Sequence, residues 1–374
     1  MDKHLHIVTH DIPWPADYGG VVDLFYKIKT LHSLGIKIHL HCYYNKGRQQ
    51  QESLLQFCEE LNYYPRKQNP AGFSLLMPYI VASRSDKNLL LRLQKDNYPV
   101  LLEGIHCSYF LKTGALKGRP VFLRLHNVEY KYYRQLARYE NNILKKCYFI
   151  FESMLLKKFE KAIASTTSII AVSTEDVQQY KDQFNARDIK FLPVFLPWQD
   201  VQAHPGKGSF CLYHGNLSVN ENEKAADWLL NNVFNDLEIP FVIAGKNPAL
   251  PLQTLAHCHA HTCIAMNPSD VELQDLIAKA QVNILPSFNK TGVKLKLLNS
   301  LYNGRHCLVN EAGSEGSAVQ ELCHVAGTAA EFKKTLSKLF QQEFTAAELE
   351  ERKKILASLY DNEKNARQLI AWIY

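Results

Sequence analysis

A loop in the C-terminal half of the sequence combines the residue types that bind a diphosphate. An apolar run ending at Leu285 is followed by PSFNKTGVKLK, which leads into a helical pattern. A glycine at a helix start leaves backbone amides open to an anion, the helix dipole adds to the attraction, and lysines supply cations. The candidate phosphate-binding residues are Thr291, Gly292, Val293, Lys294 and Lys296. An ordinary helix start with solvated lysines explains the same pattern, so both interpretations stay open.

A second loop of this kind lies near the N-terminus. It reads DIPWPADYGG and places Gly19 and Gly20 directly before a predicted helix, which ends with Gly35 at a capping position. Paired glycines let a backbone approach a phosphate closely, although a plain tight turn is the commoner reason for such a pair. The spacing departs from G-x-G-x-x-G, which disfavours a nicotinamide dinucleotide as the ligand.

Polar side chains end a third apolar run, which extends from Pro120 to Leu125. Arg124, His126, Asn127 and Glu129 lie close together there. In an open parallel sheet the carboxyl ends of the strands face the ligand crevice, so these groups are candidates for contact with a substrate. The alternative is that His126 and Asn127 satisfy backbone groups of the loop.

These loops follow β-rich runs that alternate with helical patterns, which is typical of doubly wound parallel sheets. The predicted strands of the first half are His4 to Thr9, Lys37 to Tyr43, Pro99 to Leu102, Pro120 to Leu125, Ser168 to Val172 and Lys190 to Pro193. Those of the second half are Phe210 to His214, Pro240 to Ala244, Thr262 to Met266, Val282 to Leu285 and His306 to Val309. The stretch from Leu192 to Ser209 is rich in proline and glycine and predicts a linker. We therefore expect an α/β protein with one domain over residues 1–195 and another over residues 206–360.

The order of these motifs resembles that of the family 4 glycosyltransferases, which have the GT-B fold of two Rossmann-like domains facing each other across a cleft. The matching pieces, in family order, are Pro15-x-x-Tyr18-Gly19-Gly20, Arg124-x-His126-Asn127-x-Glu129, Ala171-Val172-Ser173, His214-Gly215-Asn216, Ala244-Gly245-Lys246, and Leu285-Pro286 through Gly292-Val293-Lys294-Leu295-Lys296. They cover nearly the whole chain. The resemblance also implies that a C-terminal helix, residues 361–374, packs back on the N-terminal domain.

The resemblance implies a retaining, metal-independent transfer of a sugar from a nucleotide-sugar donor to a glycan or lipid-linked acceptor. Such a hexosyltransferase-type enzyme would need no cofactor and would act in cell-surface polysaccharide synthesis. The N-terminal domain would hold the acceptor and the C-terminal domain the donor.

The same resemblance assigns roles to individual residues. Gly19 and Gly20 would lie beside the diphosphate and the acceptor, and His126 would face the transferred sugar. Gly292 and Val293 would offer amides to the phosphates. The departing diphosphate needs stabilisation as its negative charge grows. The cations expected to supply it are Lys294, Lys224 or Lys246.

The sequence departs from the family pattern at the donor site. Thr291 and Asn299 occupy the positions of two glutamates that family members usually carry, and Asn216 replaces a usual basic residue. Asn299 can still form hydrogen bonds with a hydroxyl group. The alternative function is therefore a catalytically silent GT-B protein that binds a glycan, a nucleotide or a partner enzyme. A sugar-nucleotide epimerase would need carboxylates in the cleft, where only Glu129 and Asp17 are candidates.

The composition is that of an ordinary globular protein, with 374 residues of which 46% are hydrophobic and 21% charged. The 43 Lys and Arg residues and the 37 Asp and Glu residues give a net charge of +6, which does not require a nucleic-acid partner. Nine scattered cysteines predict reduced thiols. No secretory signal or membrane-spanning run is recognised, so we expect a cytoplasmic location.

Two further segments each have a chemical and a plain interpretation. Lysines flank aromatic residues between Tyr130 and Ala164, which suits peripheral contact with the inner face of an anionic membrane but also suits a core helix with a solvated face.

The segment His257-Cys258-His259-Ala260-His261-Thr262-Cys263 holds ligand types for zinc. It lacks a second distant pair and precedes a strand, so we expect a solvated turn and no metal site.

Overall fold

The computed structural model describes residues 2–45, 47–68 and 74–374 of the chain. The chain divides into two compact units, Met1–Pro197 with Tyr360–Tyr374, and Trp198–Leu359. Each unit contains a parallel β-sheet whose strands alternate along the chain with helices. The prediction of two Rossmann-like α/β domains is therefore confirmed.

The first unit is built on a parallel sheet. Its strands are β1 (His4–Thr9), β2 (Lys37–Tyr44), β3 (Glu60–Pro65), β4 (Val100–Glu103), β5 (Val121–Leu125), β6 (Ser168–Ala171) and β7 (Ile189–Phe191). Its first seven helices are α1 (Gly19–Ser33), α2 (Tyr79–Ala82), α3 (Lys87–Leu93), α4 (Tyr109–Lys112), α5 (Glu129–Tyr139), α6 (Ile143–Ala164) and α7 (Thr174–Phe184), with 3-10 turns at Glu52–Phe57 and Ile105–Cys107. Within the described residues, the seven strands lie in the order β3-β2-β1-β4-β5-β6-β7.

The central strands of this sheet are apolar along their whole length because both faces are covered. Every residue of β4 and β5 is buried. Along β4, Val100 and Leu102 enter one core cluster and Leu101 enters the other, as the two-residue period of a strand requires. The order of the sheet reverses between β1 and β4, and in open parallel sheets ligands bind beyond the carboxyl ends of the strands at such a reversal.

The second unit repeats this plan. Its strands are β8 (Cys211–Asn216), β9 (Phe241–Lys246), β10 (Thr262–Met266), β11 (Val282–Ile284), β12 (His306–Val309) and β13 (His324–Val325). Its helices are α8 (Asn220–Asn232), α9 (Leu250–His257), α10 (Asp270–Lys279), α11 (Leu295–Asn303), α12 (Glu311–Ser314), α13 (Ala329–Gln341) and α14 (Ala346–Leu359), with a 3-10 turn at Gln320–Leu322. The strand order β10-β9-β8-β11-β12-β13 reverses between β8 and β11.

The last helix, α15 (Asn362–Ile373), belongs to the first unit. Ala366 and Leu369 are fully buried in the same apolar cluster as Leu5 of β1. The hydroxyl of Tyr374 donates a hydrogen bond of 2.6 Å to the carbonyl of His4. The end of the chain thus completes a core that its first strand begins.

Each strand predicted from the sequence is present, with small shifts at its ends. β3 and β13 were not predicted, because β3 is a partly polar edge strand and β13 has only two residues. The helical stretch between Tyr130 and Ala164 is two helices, since the chain breaks at Glu140 and Asn142 caps α6 by accepting from the Lys145 amide. Among the described residues, no helix combines the length and apolar character needed to span a bilayer.

Candidate active site

A buried network of charged side chains lies at the sheet reversal of the first unit. Asp23 and Lys27 stand one turn apart on α1, and the Lys27 ammonium lies 3.0 Å from Asp23 Oδ2 and 2.8 Å from Glu103 Oε1 at the end of β4. The Arg124 guanidinium approaches both carboxylate oxygens of Asp23, at 3.0 and 3.1 Å. Two cations therefore balance two carboxylates.

His126 lies at the outer edge of this network. Its Nε2 is 3.2 Å from Glu103 Oε2, and its Nδ1 is 3.7 Å from Asp23 Oδ2. The side chain is 14% exposed, whereas those of Asp23 and Glu103 are at most 1% exposed. The network thus fixes the ring while leaving part of it open to a ligand.

The two carboxylates are held in the ionised form. Burial by itself would raise the pKa of Asp23, but the positive charges of Arg124 and Lys27 overcome burial and lower it. Burial also opposes ionisation of Glu103, whose pKa is nevertheless lowered, chiefly by Lys27. The ionised carboxylate of Glu103 can accept a hydrogen bond from Nε2 of His126.

The same residues resemble a metal-binding set. Asp23, Glu103 and His126 each offer a ligand atom, and these atoms lie within 4.8 Å of one another. The Lys27 ammonium, however, already contacts both carboxylates, and Arg124 holds Asp23 as well. A divalent cation would have to displace Lys27, so the donor set fits an internal ion-pair network better than a metal.

Arg124 is not placed to contact a substrate. The side chain is fully buried, and besides Asp23 it donates to the carbonyls of Leu192 and Pro193, at 3.1 and 2.8 Å. Its prediction as a substrate-binding residue is wrong for this reason. The guanidinium instead links α1 to residues 192–193, which follow β7, and it orients Asp23.

Asn127 lies in the loop that follows β5, and Glu129 is the first residue of α5. Glu129 is 4% exposed and begins α5, while the Asn127 amide lies 3.5 Å from its carboxylate. Burial raises the pKa of Glu129 to about 7 and that of Glu160 to about 8. Glu160 accepts hydrogen bonds from the amides of Glu129 and Tyr130 and therefore caps α5. Glu129 is thus enclosed where α5 begins, and Asn127 is the more exposed of the pair.

Two histidines near His126 were not predicted from the sequence. His10 follows β1 and stacks on His106 with ring centres 5.1 Å apart, and it meets His126 edge to face at 5.7 Å. Burial keeps the pKa of His10 and of His106 well below the ordinary value, so both rings are neutral. Among the described residues, no hydrogen-bond partner faces the buried Nδ1 of either ring. The sequence signal that could have identified His10 is its position directly after the run that forms β1.

The glycine-rich loop reaches the same end of the sheet. Gly19 and Gly20 are the first two residues of α1, and Tyr18 before them makes no side-chain cap. An added Cβ at Gly20 would lie 3.4 Å from Nε2 of His10, so the small residue lets the helix start close to that ring. Arg48 secures the loop through a 2.9 Å ion pair with Asp17. The start of α1 therefore presents backbone amides beside the histidines.

In the second unit, the loop between β11 and α11 lies at the sheet reversal. Asn289 accepts from the amide and the hydroxyl of Thr291, both at 2.8 Å, and Gly292 has φ +69°, which favours glycine. Lys294 is the N-cap of α11, and its ammonium contacts the carbonyls of Thr291 and Gly292 at 2.5 and 3.0 Å. The loop is thus preformed, and Val293 lies within it, half-buried.

The side chain of Lys296 reaches a residue of β8 and a residue of α8. Its ammonium is 3.4 Å from the Tyr213 hydroxyl and 3.2 Å from Asn222 Oδ1. Burial lowers the pKa of Lys296 to about 8. The structure therefore brings a partly desolvated cation to the carboxyl end of β8.

The other predicted donor-site residues are more dispersed. Asn216 and Lys246 are exposed at the carboxyl ends of β8 and β9, and Asn216 accepts from the Ser218 amide at 3.1 Å. Lys224 is exposed on α8, so it lies on a helix and not in the loop that follows Asn216. Asn299 is 8% exposed on α11 and accepts from Asn303 at 2.8 Å.

The histidine- and cysteine-rich segment of residues 257–263 spans the last residue of α9, the turn after it and the first two residues of β10. His257, Cys258, His261 and Cys263 are exposed there. The groups of metal-ligating atoms found among the described residues do not include them.

One segment of the chain matches a known protein family, and a curated relative resembles most of its length. Residues 208–342 match the family model described as Glycosyl transferases group 1, a segment that contains β8, β11 and the loop before α11. A protein from Klebsiella pneumoniae, described as an uncharacterized 44.6 kDa protein in the cps region, is 27% identical over 83% of this chain and 84% of its own length.

Solved structures match the chain over the residues of both units. A glycosyltransferase from Rickettsia africae has a TM-score of 0.67 at 12% identity, covering 100% of this chain and 98% of its own. HepE from Anabaena, solved in complex with UDP and glucose, has a TM-score of 0.64 at 11% identity, covering 99% of each chain. The fold and the matched segment together support a glycosyltransferase of the GT-B class; neither distinguishes family 4 within it.

Proposed function

We propose that the protein is a retaining glycosyltransferase of family 4 type that moves a sugar from a nucleotide-sugar donor to a glycan or lipid-linked acceptor. The second unit holds the donor and the first holds the acceptor. The observation that carries this proposal is the family match over residues 208–342, because that segment includes the preformed loop at the β8/β11 reversal. The relative from a cps region supports a role in polysaccharide synthesis.

The chemistry proposed for the second unit is stabilisation of the departing diphosphate. Gly292 and Val293 offer backbone amides, and Lys294 and Lys296 offer positive charge, so each acts on the negative charge that develops as the sugar bond breaks. These groups are held in place before the reaction by the hydrogen bonds of Asn289 and Tyr213. Such preorganisation lowers the barrier without movement at the moment of transfer.

The chemistry proposed for the first unit is orientation of the sugar and the acceptor. His126 donates or accepts a hydrogen bond at the transferred sugar, while Glu103 and Asp23 hold its ring. Lys27 and Arg124 supply the charge balance that a metal would otherwise provide there, which supports a metal-independent reaction. Gly19 and Gly20 present amides to the diphosphate or the acceptor.

A peripheral membrane contact would bring a lipid-linked acceptor to the enzyme from the cytoplasmic side. Eight lysine and arginine side chains on the α5–α6 hairpin are exposed, namely Lys131, Arg134, Arg138, Lys145, Lys146, Lys157, Lys158 and Lys161. Ile143 and Leu144 at the tip of the hairpin are 75% and 82% exposed. Apolar side chains flanked by cations suit an anionic lipid surface. The contact predicts co-sedimentation with phosphatidylglycerol vesicles that is lost in a Leu144→Asp variant; equal binding to phosphatidylcholine would contradict it.

A second candidate function is that of a catalytically silent GT-B protein. Two features of the candidate donor site favour it. The Lys294 ammonium contacts carbonyls of its own loop, and Thr291 and Asn299 are uncharged where the family usually has glutamates. A protein of this kind would bind a glycan, a nucleotide or a partner enzyme without turnover. The two functions differ in whether donor hydrolysis or transfer accompanies binding.

A thermal-shift panel of uridine, guanosine and adenosine diphosphates and their common sugars tests the proposal. A ligand that binds only the folded protein raises its melting temperature by mass action. We expect one base to be clearly preferred, followed by release of that nucleoside diphosphate when acceptor extract is added. A selective shift without any release would support the silent protein, and no shift at millimolar nucleotide would contradict donor binding.

A further inference from the structure

A second group of metal-ligating side chains lies in the second unit, away from the candidate donor loop. His306 is the first residue of β12, His324 is the first residue of β13, and Glu348 lies in the first turn of α14. Each offers one ligand atom, and the three atoms lie within 4.8 Å of one another. His306 is buried, while His324 and Glu348 are half-buried, so an ion has a route from solvent.

The strand register explains why the histidines meet. Leu308 pairs with His324, and His306 precedes Leu308 by two positions on the same strand. Residues two apart project from the same face, so both imidazoles lie on one side of the sheet. Their ring centres are 5.5 Å apart with the planes at 63°, which is an edge-on approach.

Hydrogen bonds to neighbouring groups orient two of the three ligands. His306 Nε2 lies 3.3 Å from the Gln342 carbonyl, which can only accept, so Nε2 carries the proton and Nδ1 of the neutral ring carries the lone pair. That Nδ1 faces Glu348 Oε1 at 3.8 Å. The other oxygen of Glu348 accepts from the amide and hydroxyl of Thr345, at 2.8 and 2.7 Å.

A cation between two acceptor atoms that face each other would interact with both of them. Ligand atoms on a tetrahedral zinc ion are separated by about 3.4 Å, given bond lengths of about 2.1 Å. The observed 3.8 Å between His306 Nδ1 and Glu348 Oε1 needs only a small approach to reach that value. Fixing a ligand imidazole through its second nitrogen is the usual arrangement around protein-bound metals.

We propose that His306, His324 and Glu348 bind a divalent transition-metal ion, with zinc the ion that best fits two imidazoles and one carboxylate. The histidines occupy the amino ends of β12 and β13, whereas the candidate donor loop follows the carboxyl end of β11. The ion therefore has a structural role, tying the two-residue edge strand β13 to the start of α14. It stands apart from the transfer chemistry proposed above and from the exposed segment at residues 257–263.

Metal content of the full-length protein tests this site directly. Protein stripped with a chelator and then dialysed against zinc should retain one zinc per chain, and zinc should raise its melting temperature. Cobalt in place of zinc should give the visible absorption of a four-coordinate site with nitrogen and oxygen ligands. Wild-type protein that retains no zinc after dialysis would overturn the proposal.

Variants of the two half-buried ligands, His324 and Glu348, are compared with wild type because they leave the buried His306 in place. His324→Gln and Glu348→Gln should each lose the retained zinc and the zinc-dependent melting shift, with circular dichroism verifying that the fold persists. A His257→Gln, His259→Gln double variant is the matched control and should retain zinc. Thr345→Ala should weaken zinc binding by about 10- to 100-fold through loss of the carboxylate's support. Unchanged zinc content in both ligand variants, or its loss in the control, would overturn the assignment.

Discussion

Lys27 and Glu103, which are 76 positions apart in the chain, form an ion pair of 2.8 Å in which both side chains are fully buried. The pair connects the middle of α1 to the end of β4. It therefore links the helix that starts at the glycine pair to the strand ends around His126. Stability of the first unit and geometry of the candidate active site depend on the same contact.

Lys27→Met should strongly destabilise the first unit. The substitution leaves the buried carboxylate of Glu103 without its ammonium partner, and breaking a buried pair by removing one partner costs about 3–5 kcal/mol. Urea unfolding followed by circular dichroism measures the change. Lys29→Met, an exposed position on the same helix, is the control and should stay within about 0.5 kcal/mol of wild type. Equal stability of both variants would show that the network contributes nothing net.

His126→Ala should strongly lower the rate of sugar transfer and leave the fold intact. The ring is partly exposed, and the carboxylates beneath it keep Lys27 and Arg124 as partners, so the loss of the imidazole does not strand a buried charge. Removing one preorganised polar contact to a transition state typically lowers the rate by about 10²- to 10³-fold. His32→Ala, an exposed histidine on α1, is the control in a transfer assay with the identified donor. Wild-type turnover in the His126 variant would refute its role.

Lys294→Ala should weaken binding of a nucleoside diphosphate. An ammonium that turns from its loop carbonyls to a phosphate contributes about 1.5 to 3 kcal/mol. Isothermal titration calorimetry measures the affinity, and Lys290→Ala, an exposed lysine of the same loop, serves as the control. If the affinity of the Lys294 variant equals that of the control, Lys294 does not contact the phosphates.

Nucleotide affinity should fall as the pH rises above about 8. Burial lowers the pKa of Lys296 to about 8, well under the usual value for lysine, so the ammonium is present at pH 7 and mostly lost at pH 9. If only the charged form attracts the diphosphate, the affinity falls about tenfold over this interval. Lys296→Met should bind more weakly at pH 7 and show a flat profile. A flat profile in wild type would remove Lys296 from the donor site.

The contribution of Glu160 to the stability of the first unit should be lost as the pH rises from about 4.5 to about 8. Burial raises the pKa of Glu160 to about 8, so the folded protein holds a proton that the unfolded chain releases at lower pH. A group of this kind changes the free energy of unfolding by up to about 1.4 kcal/mol per pH unit. Its full stabilising contribution is present only below about pH 4.5. The unfolding free energy of wild type minus that of Glu160→Gln should therefore fall across this range, while the exposed control Glu175→Gln should follow wild type at every pH. An unchanged slope in Glu160→Gln would contradict the raised pKa.

The fold was predictable because its central strands are buried on both faces. A strand such as β5 is a short run of apolar residues bounded by polar ones, and the run itself predicts the strand. His126 was found by the same rule, since it follows directly after that run. β3 escaped prediction because it is partly polar, and β13 because it has only two residues.

The charged network beneath His126 was not predictable from local spacing. Asp23 and Lys27 occupy positions on α1 that would also suit an exposed ion pair, and only the fold brings Glu103 and Arg124 to them. The same limit explains the error at Arg124. An arginine at a strand end gives the same sequence pattern in two different environments. Its guanidinium can contact a ligand or, as here, an internal carboxylate and two carbonyls.

The position of α15 has a consequence for how the protein is made. The second unit is one unbroken segment, so it can finish folding before α15 is synthesised. The apolar cluster around Leu5 waits for Ala366, Leu369 and Ile373, which follow the whole second unit along the chain. A stop codon placed directly before α15 would therefore damage the first unit, although most of that unit precedes the second in the sequence.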